Sequence, residues 1–202
     1  PHAERDLAAL TEQAGRPLEP WDIAYFSEQL RQQQFALSEE ELRPYFPLPR
    51  VLEGLFALAE RLFGIVIAET AAADLWHPSA RYYAIRRRDG TPTGGLFTDL
   101  FARPNKRGGA WMDVCFNRCR VGGRRQDPVA YLVCNFSPPV GDRPSTLTHG
   151  DVVTLFHEFG HALHHLLTEV DYPSLAGING VAWDAVELPS QFLENYAWLP
   201  EV

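Results

Sequence analysis

The sequence predicts an α+β fold, mostly helical, with a small β-sheet beside one histidine-bearing helix. Three observations predict it. Apolar residues recur at helical spacing in the first third, short β-branched runs alternate with turn signals in the middle, and a long amphipathic stretch stands near the end. With 202 residues, 46 % hydrophobic and 22 % charged, the chain has enough material for a buried core and an ordinary globular composition.

Residues 1–64 read as helical. "PLEPWDIAYFSEQLRQQQF" spaces Trp21, Ala24, Tyr25, Phe26 and Leu30 for one helix face behind Pro20, a good first-turn residue. "LSEEELRPYF" offers a capping box, Ser38 with Glu41. "PRVLEGLFALAERLFG" repeats Val51, Leu55, Leu58, Ala59 and Leu62 on one face and stops at Gly64, a helix-ending residue.

Residues 65–140 change character. "IVIAET" is a short β-branched run, and "ARYYAIRRRDGTPTGGLFTDLF" sets two strand-like runs around Asp89-Gly90, a strong hairpin signal. A Gly-rich loop, "ARPNKRGGAWMD", leads on to "DPVAYLVCNFSPP", a strand bracketed by prolines. Residues 141–202 then return to helix. Asp151 is the expected N-cap of an apolar stripe formed by Val152, Leu155, Phe156, Phe159, Leu163, Leu166 and Leu167. After a turn-rich connection, "WDAVELPSQFLENYAWL" resumes a helical pattern.

Charge and composition narrow the function classes. A net charge of -8 argues against a general binder of nucleic acid or anionic membrane, and no apolar run approaches the roughly 20 residues that span a bilayer. The basic clusters at Arg86 to Arg88 and at Arg124 and Arg125 sit beside turn signals and read as solvated hairpin ends. Cys115, Cys119 and Cys134 form no C-x-x-C pair. They fit reduced thiols and a cytoplasmic location better than a disulfide framework, and packed thiols better than a structural zinc site. "PHAERDLAAL" lacks the basic head and apolar middle of a secretory signal.

The chemistry gathers in "TLFHEFGHALHHLL", Thr154 to Leu167, which holds four of the seven histidines. "HEFGH" is an H-E-x-x-H pattern, which a shuffled chain of this composition would hold about 2 % of the time. Four residues advance a helix by about 400°, so His157 and His161 share a face one turn apart. Two imidazoles so placed can meet one Zn²⁺ ion. Glu158, turned about 100° away, need not ligate; its carboxylate can reach a water on the metal and act as general base.

A catalytic zinc takes a third protein ligand. A histidine six residues past His161 would sit at position 167, which is Leu167, so that pattern fails. His165 is turned about 80° from His157, and His164 shares its direction but lies roughly 10.5 Å along the axis. His164 reads as supporting the site or packed, and His165 as exposed or packed. Glu187, set among apolar residues where an unpaired charge is costly, is the best remaining candidate. Asp184 and Glu194 could each brace a ligand histidine through its second ring nitrogen; a helix-surface salt bridge explains them equally well. Tyr172 and Tyr196 are conceivable oxyanion donors, with packing as the default.

At this point the residues resemble a known family. "FHEFGHALHHLL" and "GINGVAWDAVELPSQFLENY" are similar to the thimet oligopeptidase family of zinc peptidases. The likeness runs upstream through "AYLVCNFSPP", "LFARPNKRGGAWMD", "ELRPYFPLPRVLEGLF" and "PWDIAYFSEQLR", so it covers essentially the whole chain. It implies a zincin-like metalloendopeptidase, a monomer acting on short peptides in a deep channel, with ligands His157, His161 and Glu187 and the base Glu158. It also implies a longer enzyme, with an N-terminal helical wall and a C-terminal Gly-rich loop carrying His and Tyr. The 202 residues are therefore expected to be part of a catalytic domain, truncated at both ends and hydrolysing peptides poorly alone. In such enzymes a sheet edge beside the metal helix pairs with extended substrate, and the strand Val129 to Phe136 has the right place in the chain. Tyr131, Val133 and Asn135 are therefore expected to bind substrate, unless the strand is interior. Two other readings stand beside peptide hydrolysis: a zinc hydrolase of non-peptide amides, and a metal-stabilised module without catalysis.

Overall fold

The computed structural model describes residues 2–36, 38–71 and 74–199. The chain divides into two compact units, Pro1–Tyr45 and Phe46–Val202. The first contains helices α1 (His2–Ala14), α2 (Ile23–Phe35) and α3 (Glu39–Leu42). Pro20 opens a 3-10 turn rather than the helix itself, because Glu19 and Asp22 close a capping box around that turn and α2 begins one residue later. Ser38 and Glu41 cap α3 reciprocally, as the sequence pattern predicts.

The second unit is α+β. Helix α4 (Leu48–Phe63) buries Leu48, Leu55 and Ala59 and ends at Gly64, whose φ of 65° supplies the left-handed cap. Seven strands follow among the described residues: β1 (Ile65–Glu69), β2 (Arg81–Arg87), β3 (Pro92–Phe101), β4 (Trp111–Phe116), β5 (Cys119–Val121), β6 (Arg124–Gln126) and β7 (Val129–Phe136). β5 and β6 form a separate hairpin; the others form one sheet in the order β1-β2-β3-β7-β4. The Asp89-Gly90 turn joins antiparallel β2 and β3, and β3 runs parallel to β7.

This order corrects the expectation for Val129 to Phe136. β7 is hydrogen-bonded on one side to β3 and, over Val129 to Val133, on the other side to β4, so this stretch is interior to the sheet. The backbones of Tyr131 and Val133 are already paired on both sides and are not free to pair with a substrate. The edge strands are β1 and β4, of which β4 is the neighbour of β7. The side chains of those residues are also engaged: the Tyr131 ring stacks on Phe97, Val133 is buried, and the Asn135 amide donates to the carbonyls of Arg107 and Gly109.

Alternation along the strands separates two faces. Leu96, Leu100, Ala130, Leu132, Cys134 and Phe136 join the core, together with Leu155, Phe156, Phe159, Leu163 and Leu166 of α5 (His149–Leu166). The opposite face carries Phe97, Asp99, Tyr131 and Val133 with Trp76. Helix α6 (Leu188–Glu194) packs on α5. No helix among the described residues is long and apolar enough to cross a membrane.

Candidate metal centre

Helix α5 carries the site because its apolar stripe is clamped to the sheet while the histidine edge is left open. Its N-cap is Thr148, not Asp151. The Thr148 hydroxyl accepts from the Asp151 N–H at 3.0 Å, and the Asp151 carboxylate accepts from the Thr148 N–H at 2.9 Å. The helix therefore starts three residues earlier than expected, with Asp151 as the inner member of a capping box.

From this helix His157 and His161 project together, with ring centroids 4.9 Å apart. Glu187 comes from the turn before α6, as its N-cap residue rather than from within a helix. Its Oε2 lies 3.2 Å from His157 Nε2 and 3.0 Å from His161 Nε2. The three ligating atoms lie within 4.8 Å of one another, and no other such grouping occurs among the described residues. Donors around a tetrahedral zinc, each about 2.0–2.1 Å from it, stand roughly 3.3 Å apart, and the two carboxylate–imidazole distances are close to that spacing.

Charge supports the same fit. Glu158, Glu187 and Glu194 gather around the two imidazoles, and none pairs with a lysine or arginine among the described residues. Burial drives the His161 pKa down despite the opposing pull of Glu187, so this imidazole favours its neutral, metal-ligating form. Three carboxylates without a lysine or arginine partner among the described residues leave a deficit of positive charge that a divalent cation would fill.

The surrounding groups hold the donors in place. His157 Nδ1 meets Glu194 Oε1 at 2.6 Å, which leaves its Nε2 directed at Glu187. For Glu187, burial acts to raise the pKa, but the Ser190 hydroxyl together with His161 and His157 holds it below the usual carboxylate range. Glu158 behaves oppositely. Burial raises its pKa against the pull of His157 and of the Met112 backbone N–H on β4.

The remaining predicted residues divide. Glu194 is drawn into the cluster, whereas Asp184 is exposed and makes no side-chain contact with it among the described residues. His164 lines an apolar cavity with Leu163, Leu167 and Phe192, and its Nδ1 is buried without a partner there. His165 is fully buried; its Nε2 lies 3.0 Å from the Phe116 carbonyl, which ties α5 to the end of β4. Tyr172 is exposed, and the Tyr196 ring sits edge-on to Phe192. All three cysteines are free thiols, and burial pushes Cys134 up to about 12. Sequence reasoning missed Met112 and Ser190. Ser190 had a readable signal, a hydroxyl three residues after Glu187; Met112 had none, since only strand placement brings its N–H to Glu158.

Comparison with known proteins places the chain in a family. The chain is 48 % identical over 207 residues to oligopeptidase A of Escherichia coli, which covers 100 % of the chain and 30 % of that protein. It is 51 % identical over 185 residues to oligopeptidase A of Haemophilus influenzae, covering 91 % of the chain and 27 % of the relative. It is 42 % identical over 192 residues to dipeptidyl carboxypeptidase of Salmonella typhimurium, covering 95 % and 28 %. The chain thus spans less than a third of the length of the curated relatives it matches. The sequence model for peptidase family M3 matches residues 1–202, and with this match over its full length the chain belongs to peptidase family M3.

Proposed function

We propose that this chain carries the metal centre of a zinc-dependent metalloendopeptidase of the oligopeptidase type, acting on short peptides from a zincin-like core. The observation that carries the reading is the convergence of His157, His161 and Glu187 at donor spacing, with Glu158 near enough to feel the charges of His157 and Glu187. Zinc held by these three residues would acidify a water and polarise a peptide carbonyl.

The chain's own groups supply the rest. A Glu158 carboxylate oxygen accepts a proton from the attacking water and returns it to the leaving amine. Its raised pKa suits both halves of that transfer, because the proton is neither refused nor held too loosely. The Met112 N–H steadies the carboxylate, and Glu194 fixes the His157 ring. β4 is the sheet edge next to this acid, so an extended peptide added along it would bring its backbone past Glu158. Three unpaired thiols suit a cytoplasmic setting.

The test is hydrolysis of a library of short peptides by zinc-loaded protein, repeated after chelation and with Glu158→Gln. Cleavage that disappears in both cases and returns with zinc supports the reading. Cleavage that survives Glu158→Gln overturns the assigned base, and hydrolysis confined to non-peptide amides overturns the substrate class.

A further inference from the structure

Gly160 lies inside α5, between the two ligand histidines, where a glycine weakens the helix relative to alanine. Its position has a steric explanation. A Cβ added there would stand 2.6 Å from Ser190 Cα and 2.7 Å from the Pro189 carbonyl oxygen, both backbone atoms that cannot swing aside. The start of α6 therefore rests directly on the backbone of α5 at this point. Ser190, fully buried at the contact, has its Oγ 2.9 Å from Glu187 Oε2, the oxygen that faces both imidazoles. The same hydroxyl lies 2.8 Å from the Glu187 carbonyl, so its one proton is shared between two acceptors of a single residue.

We infer that Gly160 and Ser190 are positioning residues for the third metal ligand: the missing side chain at 160 admits the start of α6, and the Ser190 hydroxyl sets the carboxylate oxygen against the two histidines. The inference rests on the metal centre proposed above and adds to it the contact that assembles the centre. Glu187 is half-exposed and stands on a turn, so its carboxylate would otherwise sample several rotamers. A hydrogen bond to a ligating carboxylate restricts that freedom before the metal arrives. The Glu187 carbonyl also accepts from the Gln191 N–H at 2.9 Å, so removing the serine hydroxyl leaves the backbone turn paired.

The experiment measures zinc affinity, by competition with a chromophoric chelator, for wild type, Ser190→Ala, Glu187→Ala and the double variant, alongside the visible absorption of the cobalt-loaded forms. Ser190→Ala is expected to bind zinc 10–100-fold more weakly than wild type and to shift the cobalt bands, with the metal-free fold intact by circular dichroism. In the Glu187→Ala background the serine change should have no further effect. Gly160→Ala is expected to weaken zinc binding at least as much; because it could also impair folding, Ser190→Ala decides the matter. Wild-type affinity and an unshifted cobalt spectrum in Ser190→Ala would overturn the inference, as would an equal loss with and without Glu187. A wild-type protein that binds no zinc would overturn the metal reading, and this inference with it.

Discussion

Two charged clusters lie on opposite sides of the sheet, and they differ in completeness. On the outer face the Asp99 carboxylate is met by Arg103 at 2.7 Å on each oxygen, by Lys106 Nζ at 2.9 Å and by the Trp76 indole N–H at 2.9 Å. Lys106, nearly buried, also donates to the carbonyls of Asp99, Phe101 and Cys134. Here the one carboxylate is met by two cations of the same chain. On the α5 side, three carboxylates surround two imidazoles with no lysine or arginine between them. Buried polar groups are costly unless paired, so a closed network reads as structure and an open one as a place for a ligand.

The comparison can be broken by changes that separate stability from chemistry. The largest effect is expected from Glu158→Gln, which should lower peptide hydrolysis by about 100–10,000-fold while zinc stoichiometry stays unchanged. Steady-state kinetics and metal analysis on the same preparation check both halves. A loss of zinc along with activity would mean that Glu158 belongs to the coordination set.

Asp99→Ala should cost about 3–5 kcal/mol of stability, because it leaves Lys106 buried without its counter-charge. Urea unfolding measures this loss, and zinc affinity of the folded fraction should not move. The same carboxyl sets an acid limit. Burial pushes its pKa up, but the bonds from Arg103, Trp76 and Lys106 hold it well below the usual carboxylate range. Its contribution is therefore fully present above the unfolded value of about 3.9 and is lost as the pH falls through the lower folded value. Wild type should lose stability below about pH 4 more steeply than Asp99→Ala, and parallel acid curves would contradict this role.

Glu194→Gln should weaken zinc binding by about 10–100-fold, since the ring of His157 loses its charged brace, with little change in metal-free stability. Should the variant unfold easily while keeping its zinc affinity, the contact would belong with the structural network instead. The smallest effect is expected at the helix start, where Thr148→Ala should cost about 1 kcal/mol through the lost cap. Thermal unfolding measures that, and hydrolysis by the folded enzyme should persist.

Much of this was legible in the sequence, for a physical reason. The placing of His157, Glu158 and His161 depends on helical periodicity alone, a local property that survives any tertiary arrangement. Glu187 was legible through the cost of an unpaired carboxylate among apolar neighbours, although it sits on a turn and not in a helix. The strand Val129 to Phe136 was legible by composition, but its neighbours were not. Strand order is decided by pairing between distant segments, and β4, rather than β7, took the edge. The cap fell on Thr148 instead of the expected Asp151, which only the reciprocal hydrogen bonds reveal. The close approach of α5 to Ser190 depends on how two helices meet, which no single stretch encodes.

The most direct test of the account is zinc stoichiometry by metal analysis after dialysis, for wild type, His161→Ala and Glu187→Ala. One equivalent in wild type, falling well below one in each variant, is the predicted result. Full occupancy in Glu187→Ala, or an empty wild-type protein in the presence of excess zinc, would contradict the three-donor centre.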